Sequence, residues 1–350
     1  MKLSARAAAL APPRAHGEPL AGVLLRSEPE DFVVEEELGF SPAGAGQHLL
    51  VRVRKRDANT AWVAEQLAGL AGCRVAEVGY AGLKDRRAVA VQWFSLPRPR
   101  APLDLGALRG TGFEALEMQP HNRKLPRGAL AGNHFTIRLR ALAGSGAALA
   151  AALSARVALI SRDGVPNYFG PQRFGRDGAN LERIAVPMRS LRPAERGFVL
   201  SAARSVIFNA LLAERVADGS WAQVGAGDLA NLDARGSFFA VEAADALLEE
   251  RARALNIHPT GPLWGQGAPA SAGAVREREE RTAAAYPEQA ALCVAAGMEQ
   301  ERRSLRLAVR ELHWVAEEAA VVLDFRLARG CYATAVLREL IEPSAAIADA

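Results

Sequence analysis

Strands are written into this chain as period-two alternation, and that pattern constrains its fold more than any other feature. In His48–Arg56 (HLLVRVRKR), Leu50, Val51 and Val53 are apolar while Arg52, Arg54 and Arg56 share one face. Such alternation predicts a strand with one buried side. The stretch HNRKLPRGALAGNHFTIRLR (121–140) ends the same way, with Phe135, Ile137 and Leu139 on one face and Arg138 and Arg140 on the other. Val321–Leu327 alternates as well, and DFVVEEE (31–37) reads as a strand entered from a turn at Pro29. Helical text lies between them. Asn59 or Thr60 caps a helix through Trp62, Val63, Leu67 and Leu70 that stops at Gly72; 141–160 is Ala-rich; 201–217 turns Val206, Ile207, Leu211 and Leu212 inward; and Tyr332–Ile341 follows Gly330. Strands and helices alternate without a regular βαβ period, which predicts an α+β fold rather than a doubly wound sheet.

At 350 residues, half of them hydrophobic, the chain has room for two domains and a sizeable core. No uninterrupted apolar run approaches the roughly 18 residues of a membrane span, and the N-terminal text has too little apolar length for a secretory signal. Cys73, Cys293 and Cys331 are odd in number, far apart and without metal-ligand spacing. These features predict a cytoplasmic protein with reduced thiols, no membrane association and no metal. Charge is uneven: residues 1–140 hold 20 Lys and Arg against 14 Asp and Glu, a net of +6. Residues 181–300 hold 12 against 15, a net of −3. Positive charge concentrated in one part of a chain suggests a polyanionic partner met by that part.

The candidate chemistry sits in GYAGLKDRRAVAVQWF (79–94), where Asp85 stands between Lys84 and Arg86–Arg87 ahead of a strand through Val89, Val91 and Trp93. A lone acid among cations stays ionised, and a carboxylate held in that form serves as a nucleophile. The flanking cations suit a phosphate backbone. The same residues also suit a solvated turn. Two further segments read in two ways. The basic face of 48–56 is either solvated or directed at phosphates. The Gly-rich VPNYFGPQRFGRDGAN (165–180), with Tyr168, Phe169 and Phe174, either stacks on bases or anchors a loop to the core. REREER (276–281) reads as a solvated helix face.

Seven blocks in order resemble the TruD family of tRNA pseudouridine synthases: EDFVVEE, GAGQHLLVRVRKRDANT, GYAGLKDRRAVAVQWF, HNRKLPRGALAGNHFTIRLR, VPNYFGPQRFGRDGANL, LSAARSVIFNALLAERV and LARGCYATAVLRELI. They span nearly the whole chain. The resemblance implies a discontinuous pseudouridine synthase catalytic domain (1–159 plus 306–350) with a mixed, mostly antiparallel sheet. A family-specific α/β domain (160–305) would interrupt it. It implies isomerisation of uridine to pseudouridine in tRNA, at position 13, with no cofactor and no obligate protein partner; a monomer is the favoured state. Asp85 matches the family's catalytic aspartate. Arg26 falls where the family has a basic residue that pairs with it, with Lys84 and Arg86 turned toward RNA. Phe32, Asn133 and Tyr332 fall at substrate-contacting positions, and Phe135 is a further candidate beside the base. The family commonly has Phe where this chain has Tyr332, so its hydroxyl needs a partner. The segment LARG also lacks a proline often seen there. Two other readings compete: a non-catalytic RNA-binding or RNA-chaperone protein using the same basic surface, and a metal-free glycosidase. The glycosidase would want a second acid near Asp85.

Overall fold

The computed structural model describes residues 3–99, 103–142, 146–243, 245–318 and 320–343. The chain divides into two compact units. One, the sheet unit, comprises Leu20–Val157, Arg310–Gly330 and the described residues from Ile341 to Pro343. The other, the helical unit, takes the described residues from Leu3 to Pro19 together with Ala158–Val309 and Cys331–Leu340.

Seven strands carry the sheet unit: β1 (Phe32–Leu38), β2 (His48–Arg56), β3 (Val89–Pro97), β4 (Phe113–His121), β5 (Leu130–Arg140), β6 (Arg310–Glu317) and β7 (Ala320–Ala328). Their spatial order is β6-β7-β5-β1-β3-β2-β4. Within this row only β1 and β3 run parallel, so the sheet is mixed and mostly antiparallel. The pleat sorts each strand's side chains onto two faces. One face receives Phe32, Val34 and Glu36 from β1, paired across to Ile137, Phe135 and Asn133 of β5, which in turn pair with Leu323, Phe325 and Leu327 of β7. From β2 the same face takes Leu49, Val51, Val53 and Lys55, all buried. Helix α1 (Thr60–Ala71) covers the β2 side, packing Val63, Ala64, Leu67 and Ala68 against Val51, Val53, Phe94 and Leu96. Asn59 occupies its N-cap position without a side-chain cap bond, and Gly72 ends the helix in the left-handed region that favours glycine.

The opposite face is mixed: Leu50 and Trp93 are buried there, and the arginine row meets carboxylates. Arg52 pairs with Glu35 at 2.8 Å, Arg54 with Glu114 at 3.9 Å and Arg56 with Glu30 at 2.6 Å. The arginine row of 48–56 is therefore a ladder of ion pairs.

The helical unit is built around α2 (Pro193–Ala217), which begins eight residues before the predicted 201–217. It is long and apolar enough to span a membrane by length and composition, yet two-thirds of its apolar window is buried within the protein. Val206, Ile207, Phe208 and Leu212 meet Tyr168, Phe169 and Phe174 in one core. The aromatics of 165–180 are thus core anchors. A small antiparallel sheet of four strands (Leu229–Leu232, Phe238–Ala240, Ile257–Leu263 and Glu301–Ser304) completes the unit. REREER falls in the helix Gly273–Ala284, but its face is not wholly solvated: Glu279 is buried, 2.8 Å from Arg302. The predicted helix 332–341 is shorter, Ala333–Leu337.

Candidate active site

Asp85 lies in the loop between the two-residue strand Gly79–Tyr80 and β3, on the face of the sheet that carries Phe32 and Phe135. Side chains rising from that face fix the loop. Lys55, fully buried near the end of β2, donates from Nζ to the backbone carbonyls of Asp85 and Ala58, each at 2.7 Å. Gln92 of β3 donates to the Gly82 carbonyl at 3.4 Å and accepts from Thr60 at 2.9 Å, and Thr60 Oγ1 in turn accepts the Lys84 amide. Lys84 itself reaches the buried Glu36 at 2.8 Å. A buried ion pair of this kind survives only with good geometry and further hydrogen bonds, and Glu36 also accepts the Trp93 amide at 3.3 Å. The expectation that Lys84 faces RNA is therefore corrected: its charge is spent inside the sheet unit.

With its backbone held, Asp85 projects a half-exposed carboxylate onto Arg26, whose Nη2 donates to Oδ2 at 2.5 Å. Arg26 has φ of 57°, a left-handed conformation that a non-glycine residue adopts only under constraint. Its guanidinium also lies 4.0 Å from the Phe32 ring centroid, within cation–π range. Phe32 meets Phe135 edge-on at 6.0 Å, and Phe135 stacks on Phe325 at 5.4 Å. Arg86 turns instead toward Asp57, at 3.6 Å. Burial pushes the Lys55 ammonium down to about 8, against the opposing pull of the Asp85 and Asp57 charges and with Lys84 adding to the fall.

Five of the six residues singled out from the sequence thus lie in the sheet unit. Asp85, Arg26 and Phe32 touch in that order, Phe135 follows Phe32, and Asn133 sits two residues along β5 on the same face. The Asn133 Oδ1 is buried and has no hydrogen-bond partner. Tyr332 belongs to the helical unit, where its hydroxyl accepts from Arg173 Nη2 at 3.3 Å.

Lys55 and Phe325 were missed as parts of this arrangement. A signal for Lys55 existed, because the period that puts Val51 and Val53 inward puts residue 55 inward too. Among the described residues, no group of three or more His, Cys, Asp or Glu could hold a metal ion.

The family model for tRNA pseudouridine synthase D (TruD) matches residues 14–186 and 184–340. The chain belongs to the TruD family. It is 45% identical over 336 residues to the tRNA pseudouridine synthase D of Methylococcus capsulatus, covering 94% of each chain. It is 46% identical over 337 residues to that of Pseudomonas aeruginosa, covering 94% of this chain and 93% of the relative. A solved structure described as a TruD protein of Methanosarcina mazei superposes with a TM-score of 0.74 over 97% of this chain and 98% of its own. At 21% identity that likeness speaks for a shared TruD fold.

Proposed function

We propose that the protein isomerises uridine to pseudouridine in tRNA, at position 13, with Asp85 as the catalytic carboxylate and the sheet unit as the catalytic domain. The observation that carries this is the Arg26–Asp85 pair: a carboxylate immobilised through its own backbone, held by one guanidinium at 2.5 Å and still half exposed. The reaction breaks an N-glycosidic bond, turns the uracil and forms a carbon–glycosidic bond; nothing is oxidised and no group is lost. Three routes are open to the carboxylate: attack on the anomeric carbon, deprotonation to a glycal, or addition to carbon 6 of the ring.

Flipping a uridine out of folded RNA costs a few kcal/mol, and stacking on an aromatic ring returns about 1–3 kcal/mol per base. Phe32 and Phe135, both nearly buried, form an aromatic floor beneath the Arg26 guanidinium that holds Asp85, and the unpartnered Asn133 Oδ1 is an acceptor suited to a base N–H. Tyr332 is assigned by family to the same substrate. The protein then works in the cytoplasm, where tRNA is modified, as a monomer without a cofactor.

Mapping pseudouridine in a tRNA mixture treated with wild type or Asp85→Asn tests the reading. One new pseudouridine at position 13, absent with the variant while tRNA affinity stays within a few fold, is expected. Tight tRNA binding by the wild type without any pseudouridine would return the chain to the RNA-binding or chaperone alternative.

A further inference from the structure

The helical unit contains two arginines with no carboxylate to answer them. Arg303, at the third position of the strand Glu301–Ser304, and Arg173, in the turn Pro171–Phe174, converge on one ring: their guanidinium carbons lie 4.3 and 5.0 Å from the Phe169 centroid. Arg303 donates to Asn167, at 2.6 Å to the side-chain oxygen and 3.4 Å to the backbone carbonyl. Arg173 donates to the Tyr332 hydroxyl at 3.3 Å. Among the described residues neither makes an ion pair, unlike Arg215 and Arg302 of the same unit, which meet Asp228 and Glu279 at 2.7 and 2.8 Å. Burial presses the Arg303 pKa down, against the opposing pull of Cys331 and Tyr332, and the Arg173 charge adds to the fall.

That corner is tight but not sealed, for Arg173, Arg303 and Thr334 are each only partly buried. A Cβ on Gly170 would come within 3.2 Å of Thr334 Oγ1 and 3.0 Å of Gln172 Oε1, and the Thr334 hydroxyl is buried without a hydrogen-bond partner. Two partly exposed guanidiniums gathered on one ring, with an unpartnered hydroxyl beside Gly170, suit a tetrahedral oxyanion, which guanidinium groups bind in bidentate fashion.

We propose that Arg173 and Arg303 form a phosphate-binding site for the backbone of the substrate RNA, with Tyr332 orienting Arg173 through its hydroxyl. The inference rests on the tRNA reading above and adds to it a contact made by the helical unit. It also gives the Tyr332 hydroxyl, which a phenylalanine would lack, a purpose.

The test is tRNA affinity of the full chain across a salt series. Each phosphate contact contributes roughly 0.7–0.9 to the slope of log K against log salt. Arg173→Gln, folded by its melting curve, is expected to lower affinity about tenfold at low salt and flatten the slope by roughly that amount. Arg173→Lys restores the slope, because it keeps the charge. Should Arg303→Gln not fold, the Arg173 pair of variants decides alone. A slope identical in wild type and Arg173→Gln overturns the proposal. So does a melting temperature that 10 mM inorganic phosphate raises in wild type but not in Arg173→Gln, with the RNA slope unchanged (about 10 mM being a saturating choice for a weak anion site); the corner would then hold a free anion. If wild type neither modifies tRNA nor binds it in a salt-dependent way, the functional reading has failed instead.

Discussion

Arg26 and Lys55 hold Asp85 from its two ends, one at the carboxylate and one at the backbone, and their replacement has different consequences. Losing a preorganised charge partner at a reacting group typically costs about 10²–10³ in kcat. Arg26→Ala is expected to fall by that order under single-turnover conditions with little change in melting temperature, and Arg26→Lys to recover most of the loss. Lys55 is a stability and positioning matter. Its folded pKa, about 8, is depressed below that of an exposed lysine, so the unfolded chain binds more protons between pH 8 and 10. Wild-type stability therefore gains from Lys55 as pH rises through that window. Lys55→Met, which abandons two carbonyls, is expected to be less stable at pH 7, and its deficit should widen toward pH 10 in parallel urea titrations. Asp85 was legible in the sequence because its cations are its neighbours in the chain. Its true partner, Arg26, is 59 residues away and reached the expectation only through family likeness.

The same limit operates on whole strands. The alternation of β2 revealed which residues turn inward and which outward, and the structure keeps that division. It could not reveal that the carboxylates answering Arg52, Arg54 and Arg56 arrive from β1, β4 and the turn before β1. A row of arginines read alone suggests a phosphate ribbon; read with its cross-strand partners it is a set of exposed pairs worth about 0–1 kcal/mol each. Arg54→Ala is accordingly expected to change stability by no more than about 0.5 kcal/mol and to leave the tRNA salt slope as it was. A flattened slope would show that the arginine leaves Glu114 for RNA. The loop of residues 165–180 shows the reverse. Its glycines and aromatics were visible, but the choice between core and ligand depended on α2, which buries Tyr168, Phe169 and Phe174 while leaving the Arg173 side chain at the edge of that core.

At the scale of the molecule, the order of the seven blocks and the mixed sheet were readable, because each block carries its own periodicity or turn chemistry. Where the chain passes from one unit to the other was less so. The sequence reading drew 1–159 and 306–350 together, whereas the segment up to Pro19 and Cys331–Leu340 pack with Ala158–Val309. Their contacts are local to that unit. Ala8 and Ala9 are buried in its core, Asn209 donates to the Ala8 carbonyl at 3.1 Å, and Glu339 accepts the amides of Ala15 and His16 at 2.9 and 3.1 Å. None of this shows in a short Ala-rich stretch, whose partners lie hundreds of residues away. Removing residues 1–19 is expected to lower the melting temperature by on the order of 10 °C, since each kcal/mol lost shifts it by about 2–4 °C in units of this size. An unchanged melting curve would show that the N-terminal segment adds nothing to the unit it touches.

The chain crosses between its two units five times, and the last crossings fall after Val309. For a nascent chain this sets a timetable. β5 leaves the ribosome with β1 already available on one side, but its other partner, β7, is 180 residues further on, starting at Ala320. At about 5–20 residues per second, translation leaves that inner strand as an open edge for on the order of ten seconds or longer. Arg138 and Arg140 ride on that edge, a placement of charge that discourages pairing with a stranger. The helical unit likewise waits for Cys331–Leu340. Neither half can finish before the other is nearly made, so both mature together only once Leu340 has emerged.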